Sequence, residues 1–340
     1  MASIITANIK AQKLAEYRAA RQKGVAWILR HLQPDGALGN PAEGYHFYRA
    51  PWTLSLVGET EAAAAVCGWF RRNMLTTDGR IEGPYRVFND AYAYRNSALI
   101  VGAQQAGQYD LSHGLMRDLL SWQDPASGAF PDDLMPSGQK SDNMDIPYAC
   151  GPGFACLTTG HLDAARKVAS FLRRIYDTQP ALPDRFYYAW SCSKQTIITE
   201  YSETDRSWYI VENQVARAQR WTIGGIAAGF LCRLYLAEPD SSYLDYARKY
   251  EAFSMAATPR QFEFPQVCKS SWGSSLLYEI TGEEPYLEWT YRMGDWYLAT
   301  QKEDGRWQFK DDSSRGALIE LNLEFLMHLD TLVAGLASRP

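Results

Sequence analysis

The chain has 340 residues, of which 21% are charged and 13% aromatic, and its formal net charge at pH 7 is -5. Because acidic and basic residues are interspersed, we expect no nucleic-acid-binding surface and no disordered charged tail. The sequence contains neither the ~20-residue apolar run of a membrane span nor the apolar core of a signal peptide, which favours a cytoplasmic protein.

Twelve helical stretches are predicted along the chain, and two kinds of helix alternate. The first kind is amphipathic and charged, and it covers 9–32, 61–73, 110–122, 161–177, 242–256 and 284–301. The second kind is richer in Ala, Gly, Ser and aromatic residues, and it covers 48–57, 90–106, 145–159, 211–235, 267–281 and 315–335. Charged helices are expected outside and apolar helices inside.

The connections between these helices also alternate. Short turns, most with Gly at the helix stop, lie at 56–63, 105–112, 158–165, 236–247 and 280–290. Long variable loops lie at 33–47, 74–89, 123–143, 178–210, 257–266 and 302–313. This alternation predicts an all-α fold, an (α/α)6 barrel or toroid formed as a single domain over residues 1–340. An open helical solenoid is the alternative.

One stretch, RMGDWYLATQKEDGRW at 292–307, recurs in a looser form after Trp27, where Gln33 and Gly36 follow. It resembles the QW repeat of terpenoid cyclases and protein prenyltransferases, with Met293 in place of a small residue. The matching positions are Arg292, Trp296, Tyr297, Gln301, Gly305 and Trp307. The resemblance implies an α/α toroid, in which Gln caps a helix end, Gly turns the chain and Trp packs over the joint. It implies nothing about chemistry.

In such a barrel the long loops and the N-termini of the inner helices meet at one end, where partial positive charges converge on a funnel. Asp90 and Asp145 stand at the predicted starts of neighbouring inner helices. They are candidates for a general acid and its partner carboxylate, and N-capping is the alternative role for each. His46 is the only histidine predicted at the funnel, where it would serve as an acid or base, or as a hydrogen-bonding loop residue.

Aromatic and charged residues near the same end are predicted to bind substrate, because ring faces stack on sugars, polyenes and cations. These residues are Tyr48, Trp52, Tyr92, Tyr94, Arg95, Tyr148, Trp208, Glu212, Lys269 and Trp272. Core packing is the alternative for many of them. Arg217 and Glu320 belong to a wider set of polar residues expected near the funnel.

No metal or other cofactor is predicted. A prenyltransferase-like zinc site would need Asp, Cys and His from inner helices, and Cys268 and His328 lack the accompanying local Asp–Cys spacing. The D-x-D-D motif of squalene-type cyclases and the diphosphate-binding acid clusters of ionising terpene synthases are missing. A glycine-rich phosphate loop is missing as well.

Three functions stay open for a chain whose expected partner is a small molecule. The first is a cofactor-independent cyclase, isomerase or lyase that acts on a small hydrophobic metabolite of terpenoid or polyketide type, by acid–base chemistry and preorganisation. The second is a glycan-active enzyme similar to unsaturated-glucuronyl hydrolases or sugar epimerases, with two Asp residues in the site. The third is a non-catalytic scaffold. The sequence specifies neither the substrate nor the oligomeric state.

Overall fold

The computed structural model describes residues 2–43, 45–82, 91–131, 139–309 and 315–339. The charged helices are α1 (Ala2–Leu29), α3 (Thr60–Asn73), α5 (Tyr109–Leu120), α7 (Leu162–Asp177), α10 (Ser241–Met255) and α12 (Glu284–Thr300). The apolar helices are α2 (Ala50–Leu56), α4 (Tyr92–Gln105), α6 (Ile146–Thr158), α9 (Ile223–Ala237), α11 (Ser270–Thr281) and α13 (Arg315–Ala337). A short helix, α8 (Arg206–Tyr209), lies in a loop.

The apolar helices form a closed inner ring. Each of them packs on the next along the chain, and α13 returns to pack on α2. The charged helices lie outside this ring and bury one face each, as α7 does through Val168, Leu172 and Ile175. The predicted (α/α)6 toroid is therefore confirmed, and the open solenoid is excluded. Within the described ranges, no helix is both long enough and apolar enough to cross a membrane.

The joint at the end of α12 is formed by Gln301, Gly305 and Trp307. The side-chain nitrogen of Gln301 donates hydrogen bonds to the Gly305 carbonyl and to the Ala20 carbonyl of α1, both at 2.9 Å. Gly305 has a φ of +96°, a left-handed conformation that favours glycine. Trp307 is fully buried, and its indole nitrogen donates to the Tyr297 carbonyl at 2.9 Å. The motif thus ties the last outer helix to the first.

The chain also contains short strands that the sequence analysis did not predict, one directly before α6 and four in the loop between α7 and α9. These strands are β1 (Asn143–Asp145, before α6), β2 (Arg185–Tyr187), β3 (Ala189–Ser191), β4 (Thr196–Ile197) and β5 (Ile210–Glu212). They pair antiparallel as β1-β3-β4 and β2-β5. The predicted helix at 211–235 is wrong over its first residues, because Val211 is buried in β5 opposite Phe186 and α9 begins only at Ile223.

Close packing of the inner ring depends on glycine at α9. A Cβ atom on Gly225 would clash with the backbone carbonyl of Lys269 at the start of α11. We expect Gly225→Ala to lower the free energy of unfolding by about 1–3 kcal/mol, as overpacking typically does. Gly114→Ala in α5 is the matched control, because its Cβ would meet no neighbouring atom closer than 4.0 Å. That variant should be neutral or stabilised by about 0.5–1 kcal/mol in urea unfolding.

A buried carboxyl group lies between α10 and the inner ring. Glu251 is fully buried, and Oε1 accepts a hydrogen bond from Ser270 Oγ at 2.6 Å. Oε2 has no hydrogen-bond partner in the described part of the chain. Burial raises the pKa of Glu251 from 4.5 to about 8, although the Ser270 hydrogen bond opposes this shift.

Stability should therefore depend on the protonation of Glu251. Because its folded-state pKa is raised, the contribution of protonated Glu251 to the free energy of unfolding is fully present below pH 4.5. As the pH rises from 4.5 towards 8, the free energy of unfolding falls by about 1.4 kcal/mol per pH unit. We expect Glu251→Gln to remove this slope from the free energy of unfolding measured between pH 5 and pH 8. Glu288→Gln, at an exposed position of α12, should keep the parental slope. A parental slope in Glu251→Gln would contradict the assignment.

Candidate functional site

A cavity of about 320 Å³ opens at the end of the barrel where the inner helices begin. Four aromatic side chains, Tyr48, Tyr94, Tyr148 and Trp208, form part of its wall. Five charged side chains, Arg49, Arg95, Arg220, Lys269 and Glu320, also line it. Ala91, Pro147 and Thr222 place the starts of α4, α6 and α9 on the same wall. The cavity therefore occupies the position that the sequence predicts for the funnel.

Glu320 is the carboxylate on this wall. Its Oε2 accepts from His46 Nδ1 at 2.8 Å, and its Oε1 accepts from the Tyr48 hydroxyl at 2.6 Å. Arg49 and Arg95 lie 3.8 and 3.9 Å from its oxygens. Burial alone would raise the pKa of Glu320, but the His46 hydrogen bond and the two guanidinium groups lower it to about 2. Glu320 is therefore an ionised hydrogen-bond acceptor rather than an acid.

His46 is oriented by that carboxylate. An ionised carboxylate only accepts hydrogen bonds, so Nδ1 carries the proton of this contact and Nε2 remains for other chemistry. Nε2 makes no hydrogen bond within the described ranges, and 22% of the side chain is exposed. His46 thus lies beside the cavity, one hydrogen bond from its wall. A carboxylate at Nδ1 fixes the tautomer and orientation of the ring and would stabilise the imidazolium if Nε2 were protonated.

A second carboxylate, Glu324, lies one turn further along α13. It is 3.1 Å from Arg49, forms an ion pair with Lys269 and is 3.7 Å from His328 Nε2. Burial would raise the pKa of Glu324, but Arg49 and Lys269 hold it well below its ordinary value. Glu320, Glu324 and His328 are spaced by four residues, so they share one face of α13. The two ionised carboxylates on this face, Glu320 and Glu324, therefore extend from the cavity towards the interior of the barrel.

Within the described part of the chain, one group of side chains has the spacing to hold a metal ion. The ligand atoms of Cys268, Glu324 and His328 lie within 4.8 Å of one another. Glu324 is already engaged by Arg49 and Lys269, and a dication would have to displace or repel both of them. Burial also raises the pKa of the Cys268 thiol, which disfavours the thiolate that metals bind. These residues do not fit a metal site well, and the absence of a metal stays a prediction.

Asp145 caps α6 and holds an arginine. Its Oδ1 accepts from the Tyr148 backbone N–H at 2.8 Å, and its Oδ2 pairs with Arg220. Asp145 is 1% exposed and does not line the cavity. The Arg220 guanidinium lies 4.5 Å from the ring centre of Trp208 and 5.0 Å from that of Tyr148. The capping role considered for Asp145 is therefore present, and its ion pair places Arg220 on the cavity wall.

The other predicted acid, Asp90, falls outside the described residues. Its proposed partnership with Asp145 is not tested by this structure. The neighbouring Ala91 does line the cavity, in a left-handed conformation with a φ of 55° at the N-cap of α4.

Most of the predicted binding residues lie on the cavity wall, and four do not. Those on the wall are Tyr48, Tyr94, Arg95, Tyr148, Trp208 and Lys269. Tyr92 faces the outer ring, where its hydroxyl donates to Asp118 at 3.2 Å and its ring stacks on Trp122. Glu212 belongs to β5 rather than to an inner helix, and it is paired with Arg206 and Arg217.

Trp52 and Trp272 do not line the cavity, and they pack further along the inner helices. Phe154 stacks on Trp272 with ring centres 4.5 Å apart, and Trp52 is 5.6 Å from Trp272. Both tryptophans line a smaller cavity of about 160 Å³, together with Leu56 and Leu157 from the ends of α2 and α6. For these two residues the core-packing alternative fits better than substrate binding in the larger cavity.

Three site residues were not singled out by the sequence analysis: Arg49, Arg220 and Glu324. The distribution of acidic residues over the first turns of the helices could have drawn attention to the two cations at helix starts, Arg49 and Lys269. None of the inner helices has an acid in its first turn. The outer helices α3, α5, α7 and α12 all have one. Cations at helix N-termini are unfavourable unless they are compensated, and here Arg49 and Lys269 are compensated by ion pairs with Glu324.

No family model matches the sequence, and no curated protein matches it either. Among solved structures, the chain is similar to a D-mannose isomerase, with a TM-score of 0.68 and 14% identity over 94% of this chain and 97% of that one. It is also similar to a type II terpene cyclase from Scytonema, with a TM-score of 0.65 and 10% identity over 96% and 99%. A third similar structure is a GH76 α-mannanase from Bacteroides thetaiotaomicron, with a TM-score of 0.60 and 11% identity over 93% of this chain and 95% of that one. These likenesses show the fold.

Proposed function

We propose that this protein is an enzyme that moves a proton on a small molecule bound in the cavity, as a cofactor-independent isomerase, cyclase or lyase. The observation that carries the proposal is the His46–Glu320 pair beside a cavity lined by aromatic rings and four cations, three of which are buried. A histidine oriented by an ionised carboxylate beside a concave site is a common arrangement in catalytic sites. The structures with the same fold are named as an isomerase, a cyclase and a mannanase, which supports enzymatic function in general.

In the proposed mechanism, His46 Nε2 accepts or delivers the proton. Glu320 stays ionised, holds the imidazole through Nδ1 and stabilises the imidazolium that forms. The guanidinium groups of Arg49 and Arg95 and the ammonium of Lys269 stabilise negative charge that develops on a substrate oxygen. Their positions are set by ion pairs before substrate arrives, so little reorganisation accompanies the reaction.

The substrate is proposed to be a small metabolite of terpenoid or polyketide type. The rings of Tyr48, Tyr94 and Tyr148 offer apolar surface, and the charged wall favours an oxygenated molecule over a pure hydrocarbon, which would leave buried charges unsolvated. The terpene cyclase of the same fold was solved with geranylgeranyl dihydroxybenzoate, a molecule that combines an apolar chain with an oxygenated ring. The likeness to that cyclase supports a substrate that has both an apolar part and an oxygenated part.

A sugar is the second candidate substrate. Trp208 is 55% exposed at the cavity wall, and such an exposed ring is a common platform for a sugar face. The similarity to a D-mannose isomerase favours a sugar isomerase within this alternative, since isomerisation also proceeds by proton transfer. A hydrolase with two catalytic Asp residues is less well supported, because Asp145 is held by Arg220 behind the wall.

Mass spectrometry tests the proposal. The purified protein is incubated with an extract of terpenoid, polyketide and sugar metabolites, in the presence of a chelator and without added nucleotide. An isomerase or cyclase converts one compound to another of equal mass, a dehydrating lyase removes one water, and a hydrolase adds one. We expect conversion at equal mass or with loss of water. Hydrolysis alone, or conversion that requires a metal, would contradict the proposal.

A further inference from the structure

We propose that Gly316, in the first turn of α13, is a positioning residue for His46. The space that its missing side chain leaves open holds the imidazole ring in the orientation in which Glu320 binds Nδ1. The value of this orientation for the reaction rests on the proposed function. The orientation itself can be measured without a substrate, so the two proposals can fail separately.

His46 lies across two successive turns of α13. Gly316 and Glu320 share one face of this helix, because residues four positions apart lie one above the other. The Nδ1 atom of His46 is 2.8 Å from Glu320 Oε2. A Cβ atom on Gly316 would lie 2.5 Å from His46 Cδ2 and 3.1 Å from His46 Cγ. One turn therefore supplies the hydrogen-bond acceptor, and the turn before it supplies the room for the ring.

The loop that carries His46 is itself held against α13. Glu43 Oε2 accepts a hydrogen bond from the Gly316 backbone N–H at 2.6 Å. A carboxylate is favourable there, because the first N–H groups of a helix have no partner within it. Earlier in the loop, Gly39 packs so closely on α13 that a Cβ atom on it would clash with Ile319 Cδ1. These contacts limit how far the loop can move away from α13 to relieve a clash at His46.

A methyl group at position 316 should therefore displace the imidazole ring. Its three nearest atoms in the described ranges belong to the side chains of His46 and Glu43, not to backbone. Non-bonded carbon atoms prefer separations of about 3.5–4.0 Å, so Cδ2 would have to move by about 1 Å. Cγ would also be too close, so turning the ring about Nδ1 does not relieve the clash. A displacement of this size takes Nδ1 out of hydrogen-bonding range of Glu320.

Nitrogen-15 NMR of the histidine side chains tests the proposal, at a pH where the imidazole is neutral. The chain has five histidines, and the signals of His46 are those that His46→Gln removes. In the parent protein we expect the proton of His46 on Nδ1. In Gly316→Ala we expect this tautomer to be lost in favour of the Nε2–H form that free histidine side chains prefer, because Glu320 no longer selects the Nδ1–H form.

Two further variants serve as controls. Glu320→Ala removes the acceptor itself and should give the same change of tautomer as Gly316→Ala. Gly114→Ala, whose Cβ atom would meet no neighbouring atom closer than 4.0 Å, should leave the signals of His46 unchanged. The midpoint of urea unfolding of Gly316→Ala should stay close to that of the parent, which separates displacement of the ring from a general loss of structure.

Retention of the Nδ1–H form of His46 in Gly316→Ala would overturn the proposal. A second measurement, on the parent protein, decides the case in which the variant does not fold. The parent should show a nuclear Overhauser effect between Hδ2 of His46 and the α-protons of Gly316. Absence of that effect would overturn the proposal as well.

The outcome is separate from that of the proposed reaction. Once a substrate is known, Gly316→Ala should lower kcat by about 10²-fold, as a misplacement of about 1 Å can do. If the tautomer changes and turnover does not, Gly316 orients His46 and the proposed proton transfer by His46 falls. If His46→Gln abolishes turnover while Gly316→Ala keeps the Nδ1–H form, the reaction stands and the role of Gly316 falls.

Discussion

Replacing His46 by glutamine is expected to lower kcat by about 10²–10⁴-fold, the usual contribution of a general acid or base. Glutamine keeps a hydrogen-bonding group near Glu320 but cannot exchange a proton at neutral pH. The substrate identified from the metabolite extract is used for the measurement. His113→Gln is the matched control, because His113 is exposed on the outer helix α5 and should keep parental turnover.

Glu320→Gln tests the positioning role of the carboxylate. The amide can no longer hold the charged imidazolium, so kcat should fall while KM stays within about threefold of the parent. A purely structural defect would change KM and the free energy of unfolding together. If His46→Gln retains turnover within about threefold of the parent, His46 is a loop residue and the proton donor lies elsewhere, with Asp90 as the next candidate.

Asp145→Asn is expected to lower the free energy of unfolding by about 3–5 kcal/mol, the usual cost of removing one partner of a buried ion pair. Asparagine keeps the N-cap of α6 but leaves the Arg220 guanidinium, whose side chain is only 14% exposed, without its carboxylate partner. Urea unfolding at neutral pH measures the change.

An exposed N-cap provides the control for that variant. Asp240 caps α10 through the Ser242 backbone N–H at 2.9 Å and has no buried cation beside it, so Asp240→Asn should change stability by less than about 0.5 kcal/mol. Equal effects of the two substitutions would show that Asp145 acts only as a cap. A small effect of Asp145→Asn on stability with a large loss of turnover would instead revive Asp145 as the acid.

The fold was predictable because its signals are local. Glycines with positive φ, such as Gly58, Gly107 and Gly160, end the inner helices and produce the short turns. The alternation of charged and apolar helices then indicates two rings. Closure of the inner ring follows from contacts between α2 and α13, which are distant in sequence, and periodicity alone could not establish it. The loop before α9 was mispredicted because pairing of Phe186 with Val211 overrides local helix propensity.

The site was predictable only in part. The rule that substrates bind at the N-termini of inner helices placed His46, Tyr48 and Lys269 near the cavity. It could not separate residues on one helix by depth or direction, so Trp52 and Tyr92 were assigned to the same wall. The pairing of Arg220 with Asp145 spans 75 positions of the chain. Which carboxylate meets which cation depends on tertiary contacts, and no single-sequence pattern specifies them.

The most direct test of the central claim is incorporation of deuterium from heavy water into the metabolite that the parent protein converts. If His46 transfers a proton at carbon, one carbon-bound deuteron should enter the product or the recovered substrate with the parent protein and with His113→Gln, and not with His46→Gln. Conversion without any carbon-bound deuterium, or incorporation that His46→Gln leaves unchanged, would contradict proton transfer by the His46–Glu320 pair.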